Sequence, residues 1–131
     1  MFNRKKQPPI RSLIAESSQI QGQVRFTDGL RVDGEITGDV LALEGQASLL
    51  VISESATVTG MVRADHIIVN GRVCGPVHAN VLLELQPKAR IEGDLAYAAL
   101  EMHQGALVSG LLRPEGVGEE KPTLKLAANN Q

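Results

Sequence analysis

The amino-acid sequence predicts an all-β fold, a single solenoid of about six three-sided rungs with disordered tails, where a rung is one turn of the coil. A pentapeptide of the form Ile/Val-x-Gly-x-Val/Leu recurs six times, with its glycines 16, 22, 15, 18 and 17 residues apart. A unit of about 17 residues is too short for a helical-pair repeat or a propeller blade but fits one β-solenoid turn. Hydrophobic residues make up 43% of the chain and aromatic residues only 2%, which favours thin aliphatic layers.

Four positions of each unit are uniform, and together they predict columns in which like residues stack on like. Apolar residues lie two before and two after each glycine, a small residue lies four before it, and an apolar residue lies eight before it. The glycines are Gly22, Gly38, Gly60, Gly75, Gly93 and Gly110; the small residues are Ser18, Gly34, Ala56, Gly71, Ala89 and Ala106; the apolar residues at the eighth position are Ile14, Leu30, Ile52, Ile67, Leu85 and Met102. Because strand side chains alternate in direction, we expect the apolar columns to face inward.

The units are of two kinds, which indicates a coil with corners. In residues 32–36 and 69–73 the alternation runs directly into the pentapeptide, whereas the other units insert a polar or turn-prone pair. The 22-residue interval holds an excess of about four or five residues around 44–48, which we expect to form a loop at a corner. Pro76 lacks a backbone donor and follows a repeat glycine, so we expect it at a corner too.

Three stretches carry a resemblance to a known family. They are LRVDGEITGDV (residues 30–40), IIVNGRVCGPV (residues 67–77) and ARIEGDL (residues 89–95). Over residues 12–113 the sequence resembles the bactofilins, a bacterial cytoskeletal family built on a short β-helix. The resemblance implies a right-handed coil, polymerisation without nucleotide, association with the inner face of the cytoplasmic membrane, and scaffolding of cell-shape or envelope-synthesis proteins.

The chain therefore divides into a basic, disordered N-terminal tail (residues 1–11), a β-helix polymerisation domain (residues 12–113) and a disordered C-terminal tail (residues 114–131). The segment after Arg113 is rich in Pro, Gly and Glu and has little to bury. A length of 131 residues fits one domain with a real core but hardly two.

The two ends of the solenoid are the predicted polymerisation surfaces, because only the end rungs leave backbone groups unpaired. Unprotected strand edges pair with other molecules, and no amphipathic helix flanks either end of the repeat region. The predicted interface residues are Leu13, Ile14, Ile20, Val24, Leu107, Val108, Leu111 and Leu112. The resemblance suggests that like ends meet, which gives filaments without polarity. The alternative is that the tails fold back as caps, which gives a monomeric β-solenoid binding module.

The N-terminus is a predicted membrane-binding segment formed by Met1, Phe2, Arg4, Lys5 and Lys6. The chain before Glu16 carries a charge of +4, against −6 for the remainder. An apolar tip beside basic residues suits an anionic lipid surface, and the resemblance implies the same. We therefore expect a cytoplasmic protein that lies peripherally on the inner face of the membrane. The alternative is an ordinary solvated tail.

Charge and cysteine content argue against several other classes of protein. A net charge of −2 and only three scattered aromatic residues make nucleic acid an improbable main partner. The single cysteine, Cys74, excludes an internal disulfide and a multi-thiolate metal site and fits a reducing compartment.

A β-helix enzyme is the remaining alternative. Its active site would need several catalytic or metal-binding side chains close together, and the repeat does not place the candidate residues at matching positions. His66, His78 and His103 share no column, whereas a zinc site needs converging ligands. Asp39 and Asp94 share a column but lie three rungs apart, about 14 Å on the strand spacing, which is too far for a paired-acid site. We interpret them as solvated carboxylates and predict no enzymatic activity, catalytic residue, metal or cofactor.

Overall fold

The computed structural model of the protein describes residues 7–115, and every regular element in this part of the chain is a β-strand. In chain order the strands are β1 (Ile10–Ile14), β2 (Gln19–Gln21), β3 (Val24–Phe26), β4 (Asp28–Val32), β5 (Glu35–Thr37), β6 (Val40–Ala42), β7 (Ser48–Ile52), β8 (Thr57–Thr59), β9 (Val62–Val69), β10 (Arg72–Cys74), β11 (Val77–Leu85), β12 (Arg90–Glu92), β13 (Leu95–Tyr97), β14 (Leu100–Met102), β15 (Leu107–Ser109) and β16 (Leu112–Pro114).

These strands coil into six rungs with three faces each, and every pairing between rungs is parallel. The first face is β1-β4-β7-β9-β11-β14, the second is β2-β5-β8-β10-β12-β15, and the third is β3-β6-β9-β11-β13-β16. The long strands β9 and β11 each turn a corner: the first part of the strand belongs to the third face and the later part belongs to the first face. The predicted fold class, an all-β solenoid of about six turns, is confirmed.

The core consists of aliphatic columns that run the length of the coil. The two columns that flank the repeat glycines lie on the second and third faces, as predicted. Their members in register are Ile20, Ile36, Val58, Val73, Ile91 and Val108 on the second face, and Val24, Val40, Val62, Val77, Leu95 and Leu112 on the third. The members in the second to fifth rungs are at most 2% exposed, so burial of branched aliphatic side chains stabilises the rod.

The prediction that the apolar residues eight positions before each glycine form one column is wrong. Leu30 and Ile67 lie in register with Leu50, whereas Ile52 pairs with Val32 and Val69. The first face therefore holds two inward columns, and the eighth position falls on one or the other.

The cause is a shorter corner in the second and fourth rungs, which have two residues fewer between the first and second faces. A side chain on Gly34 would collide with the carbonyl of Ala15, and one on Gly71 would collide with that of Ser53. Glycine allows this close backbone approach. The predicted column of small residues is confirmed at the same corner, where Thr57 N–H donates to the Gly34 carbonyl at 3.2 Å.

The repeat glycines form the corner between the second and third faces. From Gly38 onward, a Cβ on each of them would strike the carbonyl of the glycine one rung before, and all six have positive φ.

Pro76 lies at the same corner, between β10 and β11, and its carbonyl accepts from Val62 N–H at 2.9 Å. The expected loop is also present: residues 43–47 are exposed between β6 and β7.

The glycine corner yields a prediction about stability. Gly75→Ala places a methyl group against the Gly60 carbonyl at a φ of +150°, and we expect it to lower the free energy of unfolding by about 2–4 kcal/mol. Gly45→Ala is the matched control, because its φ is +96° but nothing lies within 4 Å; it should cost about 1 kcal/mol. Denaturant unfolding followed by circular dichroism measures both. Equal losses would contradict the stacked-glycine account.

Candidate polymerisation surfaces

Each end of the rod presents three strands that pair on one side only among residues 7–115. At the first rung these are β1, β2 and β3, and at the last they are β14, β15 and β16. A strand edge of this kind is a template for pairing with another chain. The two ends are therefore where the described fold can be extended by a further rung.

The N-terminal end carries the open ends of three core columns. Ile14, Ile20 and Val24 face inward, pack against the core and remain half-buried. Their partners in the second rung are essentially inaccessible to solvent. The difference arises because nothing in residues 7–115 forms a rung below the first one, so a second molecule stacked there would complete the burial of these side chains.

The C-terminal end is apolar in the same way. Val108 and Leu112 continue the columns of the second and third faces, and Leu112 is 37% exposed. The first face adds Leu100 and Met102, which were not among the predicted interface residues. Met102 is 43% exposed although its partner in the fifth rung, Leu85, is fully buried. The signal for Met102 was already in the sequence, because it belongs to the apolar positions eight before a glycine.

Three predicted interface residues lie on the outer surface beside the ends instead of in the core columns. Leu13 pairs with Arg31 and Leu107 pairs with Arg90, and both positions face solvent. Leu111 follows the last repeat glycine at the corner. Their exposed fractions are 58%, 59% and 60%, so they can contribute a rim around a contact but not its centre.

Aromatic side chains close one corner of the core near each end. Phe26 in the first rung and Tyr97 in the fifth are 7% and 6% exposed. They lie in the same inward column of the third face, and the three rungs between them place Ala42, Ala64 and Ala79 in that column. Burial raises the pKa of Tyr97 above its ordinary value of 10.0, because the charged phenolate is poorly solvated there.

Two aspartates form bonds that the sequence did not indicate. The Asp39 carboxylate accepts from Met61 N–H at 2.9 Å, and the Asp94 carboxylate accepts from Leu111 N–H at 3.0 Å. Both follow a repeat glycine and reach the equivalent position of the next rung. Asp94 is exposed and Asp39 half-buried, so the interpretation as solvated carboxylates lacked one feature, the bond that each makes to the backbone across one rung. Asp94 thereby holds the corner of the terminal rung.

One of the three histidines lies beside two glutamates. His103 Nε2 lies 3.1 Å from Glu84 Oε2, and Glu101 lies in the rung beside Glu84. The ligand atoms of this trio are within 4.8 Å of one another. Glu84 and Glu101 share the position nine before a repeat glycine, but His103 lies two positions further along, so the column pattern alone did not reveal the trio. Cys74 is half-buried, with Sγ 3.9 Å from Glu92 Oε1.

The N-terminal segment, residues 7–9, runs along the side of the rod from the first strand toward the fourth rung. A side chain on Gly29 would collide with the backbone of Pro9 and Ile10, and Gln7 Nε2 lies 3.5 Å from Nδ1 of His66 in the fourth rung. Residues 7–9 therefore do not cover the first rung. The predicted membrane-binding residues Met1, Phe2, Arg4, Lys5 and Lys6 lie outside the described residues. Within the described part, no helix is long and apolar enough to cross a membrane.

Residues 7–115 thus form a short β-solenoid whose two end rungs present exposed apolar side chains and strand edges without a partner in this part of the chain. The family model for bactofilin, described as polymer-forming cytoskeletal, matches residues 12–113. The chain belongs to the bactofilin family and is a polymer-forming cytoskeletal protein; this is a structural family and not an enzyme family. No curated protein and no solved structure matches the chain.

The burial of Tyr97 yields a prediction about pH. Because its pKa is raised in the folded state, the residue's contribution to stability is present below pH 10.0 and is lost as pH rises through the folded pKa. Tyr97 is the only tyrosine and the chain has no tryptophan, so tyrosinate absorbance reports on this position alone. We expect its titration midpoint to lie above that of free tyrosine. A midpoint at the free value in protein that is still folded would contradict the burial.

Proposed function

We propose that the protein assembles end to end into filaments without a nucleotide, and that the filaments lie on the inner face of the cytoplasmic membrane as a scaffold for cell-shape or envelope-synthesis proteins. The observation that carries the proposal is the pair of end rungs: within residues 7–115 each has three strands that pair on one side only, together with half-buried aliphatic columns. Stacking of two ends would satisfy the backbone groups and bury these columns in one contact.

Assembly by this route needs no nucleotide, because the free energy comes from burial and hydrogen bonding at surfaces that are already formed. The glycines that could suggest a phosphate-binding loop are the corner glycines of the repeat, packed against the backbone of the neighbouring rung. No Lys-Ser/Thr pair or strand-to-helix turn follows them, as a phosphate loop requires.

The proposal includes like-to-like contacts, in which N-terminal ends meet N-terminal ends and C-terminal ends meet C-terminal ends. This arrangement follows from the family resemblance. It gives a filament with no polarity and with two different interfaces, in contrast to a head-to-tail chain with one repeated interface. The two arrangements respond differently when a single end is blocked, which makes them separable.

Blocking one end tests both the site and the arrangement. Val108→Lys places an ammonium in the half-buried core column of the last rung, and Ile20→Lys does so in the first. A buried unpaired charge is strongly unfavourable, so each variant should lose its filaments in nucleotide-free buffer. With like ends meeting, each single variant should sediment as a dimer, and the double variant as a monomer.

The matched controls are Ser109→Lys and Gln21→Lys, which place the same charge one residue further along the same strands, at exposed positions. They should still pellet as filaments, as judged by sedimentation and negative-stain microscopy. Monomers from either single variant would overturn the like-to-like arrangement in favour of head-to-tail contacts. Intact filaments from the folded Val108→Lys and Ile20→Lys variants would overturn the end-on site itself.

Membrane association in the proposal is assigned to the N-terminal segment. Its Arg4, Lys5 and Lys6 can each gain about 1 kcal/mol near an anionic surface, and Phe2 can enter the interface. One such tail binds weakly, whereas a filament presents many copies and gains by avidity. Polymerisation and membrane binding therefore reinforce each other.

Removal of residues 1–7 should abolish co-flotation with vesicles that contain anionic lipid, while filaments still form in solution. Higher salt should weaken flotation of the full-length protein, because the attraction is electrostatic and is screened. The Val108→Lys, Ile20→Lys double variant, which keeps its tail, should float poorly because avidity is lost. Undiminished flotation of the truncated protein would remove the tail from the proposal.

A further inference from the structure

The N-terminal segment is docked on a specific edge of the rod, the corner between the third and first faces. Gly29, Leu49 and His66 occupy equivalent outward positions in the second, third and fourth rungs. Pro9 lies against Gly29 and Gln7 contacts His66, so the segment crosses Leu49 between them. This explains why Leu49 is only 7% exposed although it faces outward.

The point of attachment limits where the rest of the tail can reach. Residues 1–6 precede Gln7, and six residues span at most roughly 20 Å when fully extended. Gln7 is held in the middle of the rod's length, at the fourth of six rungs, so the tail starts from one side of the protomer and not from its end. A tether of this length favours contact between the tail tip and a surface that the docked edge faces.

The distribution of charge also favours the docked edge as the side that faces an anionic surface. The neighbouring corner, between the first and second faces, and the first face beside it carry a cluster of five acids. They are Glu16, Asp33, Glu54, Glu84 and Glu101, against two cations, Arg31 and Lys88. The Ser53 hydroxyl and the Arg31 guanidinium lower the pKa of Asp33, so that carboxyl stays ionised. Anionic lipid is repelled from this side.

The docked edge carries a smaller excess of acids, three (Asp28, Glu44 and Asp65) against two cations (Arg11 and Arg63). Ion pairs occur on both sides, since Asp33 lies 2.9 Å from Arg31 and Glu54 lies 3.4 Å from Lys88. Asp28 lies 3.4 Å from Arg11, and Glu44 lies 3.7 Å from Arg63. The Asp65 carboxylate accepts from the Asn80 amide at 2.9 Å. The loop at residues 43–47 projects from this edge and carries Leu43, which is 41% exposed. This side can approach an anionic surface at lower electrostatic cost.

We propose that the docked segment Gln7–Ile10 fixes the rotation of each protomer about its long axis on an anionic membrane. The edge with the loop at residues 43–47 faces the lipid, and the second face, with β8 and β10, faces away from it. This inference rests on the proposed membrane association. It goes further by naming which surface of the solenoid meets the lipid and which stays accessible to protein partners.

Two single-cysteine proteins test the orientation. In a Cys74→Ser background, Gln46→Cys places a fluorophore on the docked edge, and Thr59→Cys places one on the second face; both positions are exposed. Each protein is bound to vesicles of phosphatidylcholine and phosphatidylglycerol that contain a nitroxide-labelled lipid. We expect quenching of the label at position 46 to be several-fold stronger than at position 59.

A longer tether provides a matched control that leaves the fold untouched. A flexible Gly/Ser linker of about ten residues inserted between Lys6 and Gln7 adds roughly 17 Å of mean reach. Flotation should persist, while the difference in quenching between the two positions should shrink.

Equal quenching at the two positions, or stronger quenching at position 59, in protein that still floats would overturn the orientation and leave membrane association intact. An unchanged difference after linker insertion would show that the docked segment does not set it. Loss of flotation by the labelled full-length proteins would overturn membrane association, and the orientation with it.

Discussion

The backbone hydrogen bonds of this protein run along the axis of the rod, from each rung to the next, and most other features depend on that direction. Inner rungs satisfy one another on both sides, as when Val62 N–H donates to the Pro76 carbonyl and Val40 N–H donates to the Met61 carbonyl. A coil of this kind has no sheet edge on its sides. In residues 7–115 the unpaired edges are confined to the two end rungs, which is why we assign the proposed self-association to the ends and not to the faces.

The close spacing of the rungs also accounts for the geometry that recurs at the glycine corner from rung to rung. Rungs about 4.8 Å apart bring equivalent backbone atoms so close at the corner between the second and third faces that a side chain cannot fit. Glycine at Gly38, Gly60 and Gly75 resolves this crowding and supplies the positive φ of the turn. Asp39 and Asp94 then add a bond between rungs at the same corner. The corners thus accommodate the rung spacing at which the aliphatic columns stack.

Much of the fold could be predicted from the sequence, because each rung of a solenoid repeats the same local environment. A pattern found in one repeat can therefore be checked in the others. The glycine corner, the two flanking columns, the loop at residues 43–47 and the corner position of Pro76 all followed from spacing. The eighth-position column failed because two corners are shorter, so counting from Gly38 and Gly75 shifts the register by two residues. Alternation along a strand cannot reveal such a shift, since a two-residue change keeps the inward direction.

The candidate site was less predictable, because contacts across the surface are not periodic. The inward positions Ile14, Ile20, Val24, Val108 and Leu112 could be placed at the ends from their columns. Their neighbours Leu13, Leu107 and Leu111 lie outward, a distinction that needs the register of the end strands. The docking of Gln7–Ile10 over Gly29 and His66, and the meeting of Glu84 with His103, have no counterpart in the repeat and could only come from the structure.

In the proposed filament, the rungs of one molecule continue into those of the next. Cryo-electron microscopy or fibre diffraction of nucleotide-free filaments measures this directly. Six rungs at about 4.8 Å give an axial length of roughly 29 Å per protomer, and strand spacing along the filament axis. Like-to-like contacts would double the true repeat to roughly 58 Å. Strands that run parallel to the filament axis, or protomers joined side by side, would contradict the account.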